Sequence, residues 1–327
     1  MPDLLTVTKQ GLYCPAGDFH IDPWKKVDRA VVTHGHSDHA TRGHGSYLCA
    51  KSSVPILKNR LGKKISVTGQ AFGEPIDING VTVSLHPAGH VMGSAQIRVE
   101  HGGEVWVASG DYKLEDDGIS GAFEPVVCDT FITESTFGLP IYRWEPQETV
   151  AAEINAWWQA NQESGITSVI YTYSLGKAQR IQHAVDQSIG PTFAYHTVED
   201  MNAAYADEGI VLPETSTPRS DSGGLVIAPP SADGTDWLRQ FGDCSTAFVS
   251  GWNRVKKRRW GKFDRGFVMS DHVDWPGMLS AIRQSEAKRV LVTHGYSRQT
   301  VRYLRENGWD ADGLETHYEG EAMEGLA

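Results

Sequence analysis

A chain of 327 residues with 40% hydrophobic content can bury one large core or two ordinary ones, so it reads as a soluble globular protein. It has no apolar run long enough to span a bilayer, and Met1 to Gly11 lacks the basic-then-apolar pattern of a secretion signal; a cytoplasmic location with no membrane partner is therefore expected. The net charge of −11 excludes a surface coated in basic side chains, so any attraction to a polyanion has to be local.

In chain order, Ala30–Thr33, Val81–Leu85, Ala95–Val99 and Val105–Ala108 read as strands, each ending in polar or glycine-rich sequence. An amphipathic helix is expected from Thr149 to Gln162, then a strand from Ser168 to Tyr173 and a helix from Gly176 to Ser188, as in a βα unit. Pro213 to Gly224 marks a loop before the strand Gly224–Ala228, and Arg289–Thr293 is a last strand, ending in His294-Gly295. Strand-then-loop units suit an α/β protein whose loops carry the chemistry. Cys14, Cys49, Cys128 and Cys244 lie far apart, without the close pairs of a zinc ribbon or redox site, and read as reduced, mostly buried thiols.

The chemistry concentrates in His34-Gly35-His36-Ser37-Asp38-His39, directly after a strand. Imidazole and carboxylate suit Zn²⁺ or Mn²⁺. Alternate positions of an extended segment point the same way, so His34 and His36 can converge on one ion, while a turn at Ser37 directs Asp38 and His39 to a second. Two ions clamp the attacking and leaving oxygens of a phosphodiester, but they need more ligands than one loop supplies. His90, Asp111 and His294 each follow a strand and complete a set of seven.

The order Asp22, the His34-to-His39 cluster, His90, Asp111 and a late His294 resembles the motif series of metallo-β-lactamase-fold hydrolases. The resemblance implies one ion held by His34, His36 and His90 and another by Asp38, His39 and His294, with Asp111 bridging. Asp22 would support the site from behind the ligands, although Asp18 is close by and a turn role suits either residue. Zn²⁺ is the first expectation, and the same ligands accept Mn²⁺ or iron.

Three further segments are similar to the nucleic-acid branch of that superfamily, the β-CASP nucleases: Thr133-Glu134-Ser135-Thr136-Phe137-Gly138, Ser270-Asp271-His272-Val273-Asp274 and Thr293-His294-Gly295. The resemblance implies a metallo-β-lactamase αββα sandwich, residues 1–140 and 266–327, with an inserted β-CASP cap at 141–265. By it His272 would protonate the leaving oxygen, Glu134 would orient that imidazole, and Asp38 would orient the attacking water. Ser174, Gly176 and Lys177, at the cap's strand-to-helix turn, would hold a phosphate. The basic patch Arg254, Lys256, Lys257, Arg258 and Arg259, interleaved with Trp252 and Trp260, suits contact with a nucleic-acid strand.

Within the branch, the length, the opening Gly11 to Phe19 and the compact cap most resemble bacterial ligase-associated DNA exonucleases, implying a DNA-repair exonuclease with a DNA ligase and a helicase as functional partners. His294 is the residue found in RNA-processing members, so an RNA exo- or endonuclease stays open beside the favoured DNA reading. A lactonase or thioesterase on the same fold would need neither His272 and Glu134 nor the long insertion. A catalytically dead binding protein should have lost metal ligands that this chain keeps.

Overall fold

The computed structural model of the protein describes residues 3–218, 223–255 and 263–317. Within them the chain forms two compact units. One comprises the described residues before Arg143 and those from His272 onward, and the other runs from Arg143 to Asp271, against the breaks at 140/141 and 265/266 expected from the sequence.

The first unit opens with a six-stranded sheet in sequence order: β1 (Thr6–Val7), β2 (Leu12–Cys14), β3 (Phe19–Ile21), β4 (Arg29–Val31), β5 (Ser46–Ala50) and β6 (Val67–Gln70). From β3 to β6 the strands run parallel, and α1 (Val54–Leu61) forms the crossover between β5 and β6. A second sheet follows with β7 (Ile76–Ile78), β8 (Val81–Pro87), β9 (Ala95–His101), β10 (Glu104–Ala108) and β11 (Thr130–Thr133).

The second unit alternates α2 (Gln147–Glu163), β12 (Thr167–Tyr171), α3 (Lys177–Ala184), β13 (Thr192–Ala194), α4 (His196–Asp207), β14 (Leu225–Ala228), α5 (Asp236–Arg239), β15 (Cys244–Val249) and β16 (Arg265–Phe267). Its five strands form an all-parallel sheet in the order β13-β14-β12-β15-β16. Such sheets are covered on both faces, and the wholly buried runs of β12 and β14 are their sequence signature. One face packs Ile154 and Trp158 of α2 and Ile181 of α3, and the other packs Leu238 of α5 with Phe241.

Back in the first unit, α6 (Trp275–Gln284), β17 (Arg289–Val292), α7 (Ser297–Glu306) and β18 (Asp310–Gly313) complete the second sheet as β18-β17-β11-β10-β9-β8-β7. Period-two alternation sends its strand residues into two cores. Trp106, Ala108, Ile132 and Leu291 share one cluster with Ile21 and Val31 of the first sheet. Val107, Phe131, Val290 and Val292 instead share another with Met278 and Ile282 of α6 and Leu304 of α7. The first sheet alternates likewise, Ala30, Val32 and Cys49 clustering with Leu57 and Leu61 of α1. The architecture is thus mixed α/β. Phe131→Ala should cost about 3–5 kcal/mol, read as a lower urea midpoint with the slope unchanged.

Strand direction positions the chemistry. β8 and β10 are each antiparallel to β9, and β10, β11 and β17 are mutually parallel, so these four strands run the same way. The loops that leave their C-terminal ends carry His90, Asp111, Glu134 and His294. Among the described residues no helix is long and apolar enough to cross a membrane. All four thiols are free, and burial pushes those of Cys49 and Cys128 up to about 12.

Candidate metal centre

Asp111 is the hub. It follows β10 through Ser109 and Gly110 and is 2% exposed. Its Oδ1 lies 3.2 Å from His294 Nε2, and its Oδ2 lies 3.4 Å from His39 Nε2, 3.5 Å from His34 Nε2, 3.9 Å from His90 Nε2 and 3.9 Å from His272 Nδ1. One buried carboxylate therefore faces five imidazoles from four loops.

Two subsets resolve around it. The rings of His34, His36 and His90 lie 4.7–4.9 Å apart centre to centre, and His90 Nε2 is 3.0 Å from His36 Nδ1. Each of the three offers a nitrogen that, with an Asp111 oxygen, falls within 4.8 Å of the others, a cage that could hold a cation. On the other side of Asp111, His39 Nε2 lies 3.5 Å from Asp38, and the His39 and His294 rings are 6.3 Å apart. His36 and Asp38 are only half-buried.

The residues behind the cluster set the imidazole tautomers. Asp22 is buried and accepts from the Thr33 amide at 2.7 Å and the Thr33 hydroxyl at 2.5 Å. His39 Nδ1 lies 2.7 Å from Asp22 Oδ2, which places its N–H there and turns Nε2 toward Asp111. With its hydrogen given to Asp22, the Thr33 hydroxyl accepts from His34 Nδ1 at 3.0 Å and leaves a lone pair on His34 Nε2. Thr33 was missed in the sequence because nothing distinguishes it from any strand-end threonine. Asp18 is exposed and bonded to the Tyr13 hydroxyl, so only Asp22 of the two faces this cluster.

The donor set fits divalent ions. Among the described residues His34 Nε2 is buried with no hydrogen-bond partner, an arrangement that burial makes costly unless a cation takes the lone pair. Burial, helped by His39 and His90, holds the His34 pKa well below the ordinary histidine range, in the neutral ligating form. For His39, burial opposes the charge, but Asp111, Asp38 and Asp22 outweigh it and raise the pKa well above that range. Burial also opposes ionisation of Asp111, yet His39 and His272 hold its pKa well below the carboxylate range.

A raised His39 means that the metal-free protein carries a proton at neutral pH that an incoming ion must displace. Metal loading should therefore release about one proton, and affinity should rise with pH. In the metal-free protein the His39 contribution to stability is full below the unfolded pKa, near 6.5, and is lost as pH rises through the raised folded value. Calorimetric titration in buffers of different ionisation enthalpy reads the proton count; a buffer-independent heat would contradict this.

At the edge of the cluster, His272 Nδ1 sits 2.9 and 3.0 Å from the two oxygens of Glu134, which is wholly buried and also accepts from the Tyr112 amide at 3.0 Å. Glu134 follows β11, and His272 precedes the N-cap Asp274 of α6. Asp111, Glu134 and His272 also lie close enough together to hold a cation, so their geometry admits two roles.

The expected phosphate-binding residues belong to the second unit. Ser174 Oγ is 2.7 Å from Thr197 Oγ1, and Gly176 caps α3 at φ 88°. Lys177 is fully buried, with Nζ 3.8 Å from Asp271, a carboxylate that Arg180 also approaches at 3.3 Å. Arg254 lies 3.7 Å from Glu145 at the surface, while Lys256, Lys257, Arg258, Arg259 and Trp260 lie outside the described residues.

A mixed α/β protein with a buried His/Asp cluster of this kind falls in the class able to hold divalent metal. No family model matches the chain. It is 30% identical over 310 residues, 92% of its length, to a protein of Opitutus terrae named a probable DNA ligase, and 32% identical over 118 residues, 36% of its length, to endoribonuclease YSH1 of Eremothecium gossypii. The chain spans only 30% and 15% of the length of these two relatives. Among solved structures, a protein of unknown function from Enterococcus faecalis shares the fold at TM-score 0.60 and 12% identity, covering 90% of this chain and 80% of that one. The chain belongs to the metallo-β-lactamase-fold β-CASP nuclease family.

Proposed function

We propose that this chain is a two-metal phosphodiesterase that cleaves nucleic acid, with DNA favoured, as an exonuclease in DNA repair. The observation that carries the reading is the convergence of His34, His39, His90, His272 and His294 on Asp111. In this reading the first unit is the αββα sandwich and the second the β-CASP cap. His34, His36 and His90 would hold one ion and Asp38, His39 and His294 the other, with the Asp111 carboxylate available to both. Zn²⁺ suits these ligands best, with Mn²⁺ or iron acceptable.

The ions, when bound, supply Lewis acidity that makes water nucleophilic near neutral pH and offsets charge on the phosphoryl oxygens. The chain's own groups do the rest. Asp38, half-buried beside His39, orients the attacking water. His272 protonates the departing oxygen; because its Nδ1 is committed to Glu134, the proton comes from Nε2. Ser174 and Gly176 serve the strand's phosphates, as do Arg254 and the basic run that follows it, while Lys177, fully buried facing Asp271, supports that turn from within.

The match over nearly the whole chain to a protein named as a probable DNA ligase supports DNA and a functional tie to ligation, with the helicase tie resting on the family resemblance. The shorter match to an endoribonuclease, together with His294, supports RNA as the second reading. A cytoplasmic location accords with either. The deciding experiment incubates the protein with 5′- and 3′-end-labelled DNA and RNA across divalent metals. A ladder growing from one DNA end, abolished by chelator, is expected. Faster RNA cleavage would move the assignment to the second reading, and intact oligonucleotides beside cleavage of a generic phosphodiester would make it a small-molecule hydrolase.

A further inference from the structure

We infer that Ser135, next to Glu134, is a positioning residue whose hydroxyl latches the His294 loop in a strained backbone conformation and so builds the second metal subsite. The inference rests on the two-metal reading above.

His294 has φ +21°, outside the well-populated regions for any residue with a Cβ, and such a conformation persists only where its surroundings hold it. The surroundings are supplied by the other loop. β11 and β17 run parallel and adjacent, with Thr133 opposite Val292, so Glu134-Ser135 and Thr293-His294 leave the sheet side by side. Ser135 is 1% exposed. Its hydroxyl donates to the Thr293 carbonyl at 3.1 Å and also lies within hydrogen-bond reach of the His294 carbonyl. Its own carbonyl accepts from the Tyr296 amide at 2.9 Å. Residues 293, 294 and 296 are thus all tied to one serine.

Gly295 shows how close the fit is. It has φ +71°, and a Cβ there would overlap the Ser135 carbonyl and Thr136 Cα, so only glycine lets the two loops meet. The same serine follows directly on the carboxylate that faces His272, so one short segment serves both the proton donor and the far ligand. Without the latch the loop can relax from its strained φ, and His294 Nε2 leaves its place 3.2 Å from Asp111.

The test is metal binding, measured by elemental analysis after dialysis and by competition with a chromophoric chelator. Wild type should retain two equivalents. Ser135→Ala should weaken one of them by about 10–100-fold, the range for residues that orient a ligand, and leave the other unchanged. His294→Ala should weaken the same ion, and adding Ser135→Ala to His294→Ala should cost nothing further, because the serine acts through that histidine. A serine needed only for folding would instead weaken both ions in both backgrounds. Should Ser135→Ala fail to fold, Ser135→Cys, which fills the same space with a much weaker donor, should show the same selective loss. Two tight equivalents in Ser135→Ala, with one lost in His294→Ala, would overturn the latch and leave the two-metal reading standing. Two tight equivalents in His294→Ala would remove His294 from the ligands of the second ion and overturn the latch with it, whereas fewer than two equivalents in the wild type would overturn the two-metal reading itself.

Discussion

Asp111→Asn is expected to lower phosphodiester hydrolysis by a thousandfold or more, equivalent to about 4 kcal/mol of lost transition-state stabilisation, and to lower the retained metal in parallel. The substitution keeps the shape of the side chain and removes its charge. In the wild type that charge lies within 3.2–3.9 Å of five imidazoles and is the largest influence favouring the proton on His39. An amide can satisfy neither two cations nor the imidazoles that would face one another in their absence. Elemental analysis beside an end-labelled DNA assay decides the point. Full metal content and near-normal rates in the variant would show that Asp111 is not the bridge.

His272→Ala should behave differently. Its rate should fall by about 10²–10⁴-fold, the usual contribution of a positioned proton donor, while two equivalents of metal remain. The distinction follows from where the ring points: Nδ1 is held by both oxygens of a buried Glu134 and lies farther, at 3.9 Å, from Asp111. A proton donor matters most when the leaving oxygen is basic. The defect should therefore be much smaller on a 4-nitrophenyl phosphodiester than on an oligonucleotide. An equal defect on both substrates, or loss of an ion, would assign His272 to the metal cage formed by Asp111, Glu134 and His272.

What the sequence disclosed follows from the range of each interaction. The run His34 to His39 was readable because four donors fall within six residues after a strand, and periodicity alone locates the strand. His90, Asp111 and His294 were readable only as loop residues following strands, but that they gather on one side depends on β8, β10, β11 and β17 running in one direction, which is set by long-range pairing. β11 itself was not anticipated: Thr130-Phe131-Ile132-Thr133 is too short to stand out, although it carries Glu134. The helix expected to reach Ser188 ends at Ala184, where Val185 turns extended, and α7 passed unnoticed because its face of Thr300, Val301 and Leu304 is narrow among polar residues. The contacts of Thr33 and Ser135 were beyond reach, since a serine or threonine gains such a role only from what folding brings against it.

The most direct test of the central claim is an anomalous-scattering map from crystals of the metal-loaded protein. Two peaks about 3.5–4 Å apart are expected, one among His34, His36 and His90, the other among Asp38, His39 and His294, both bonded to Asp111. A map with no ion at this cluster, or with a single ion among Asp111, Glu134 and His272, would contradict the two-metal account.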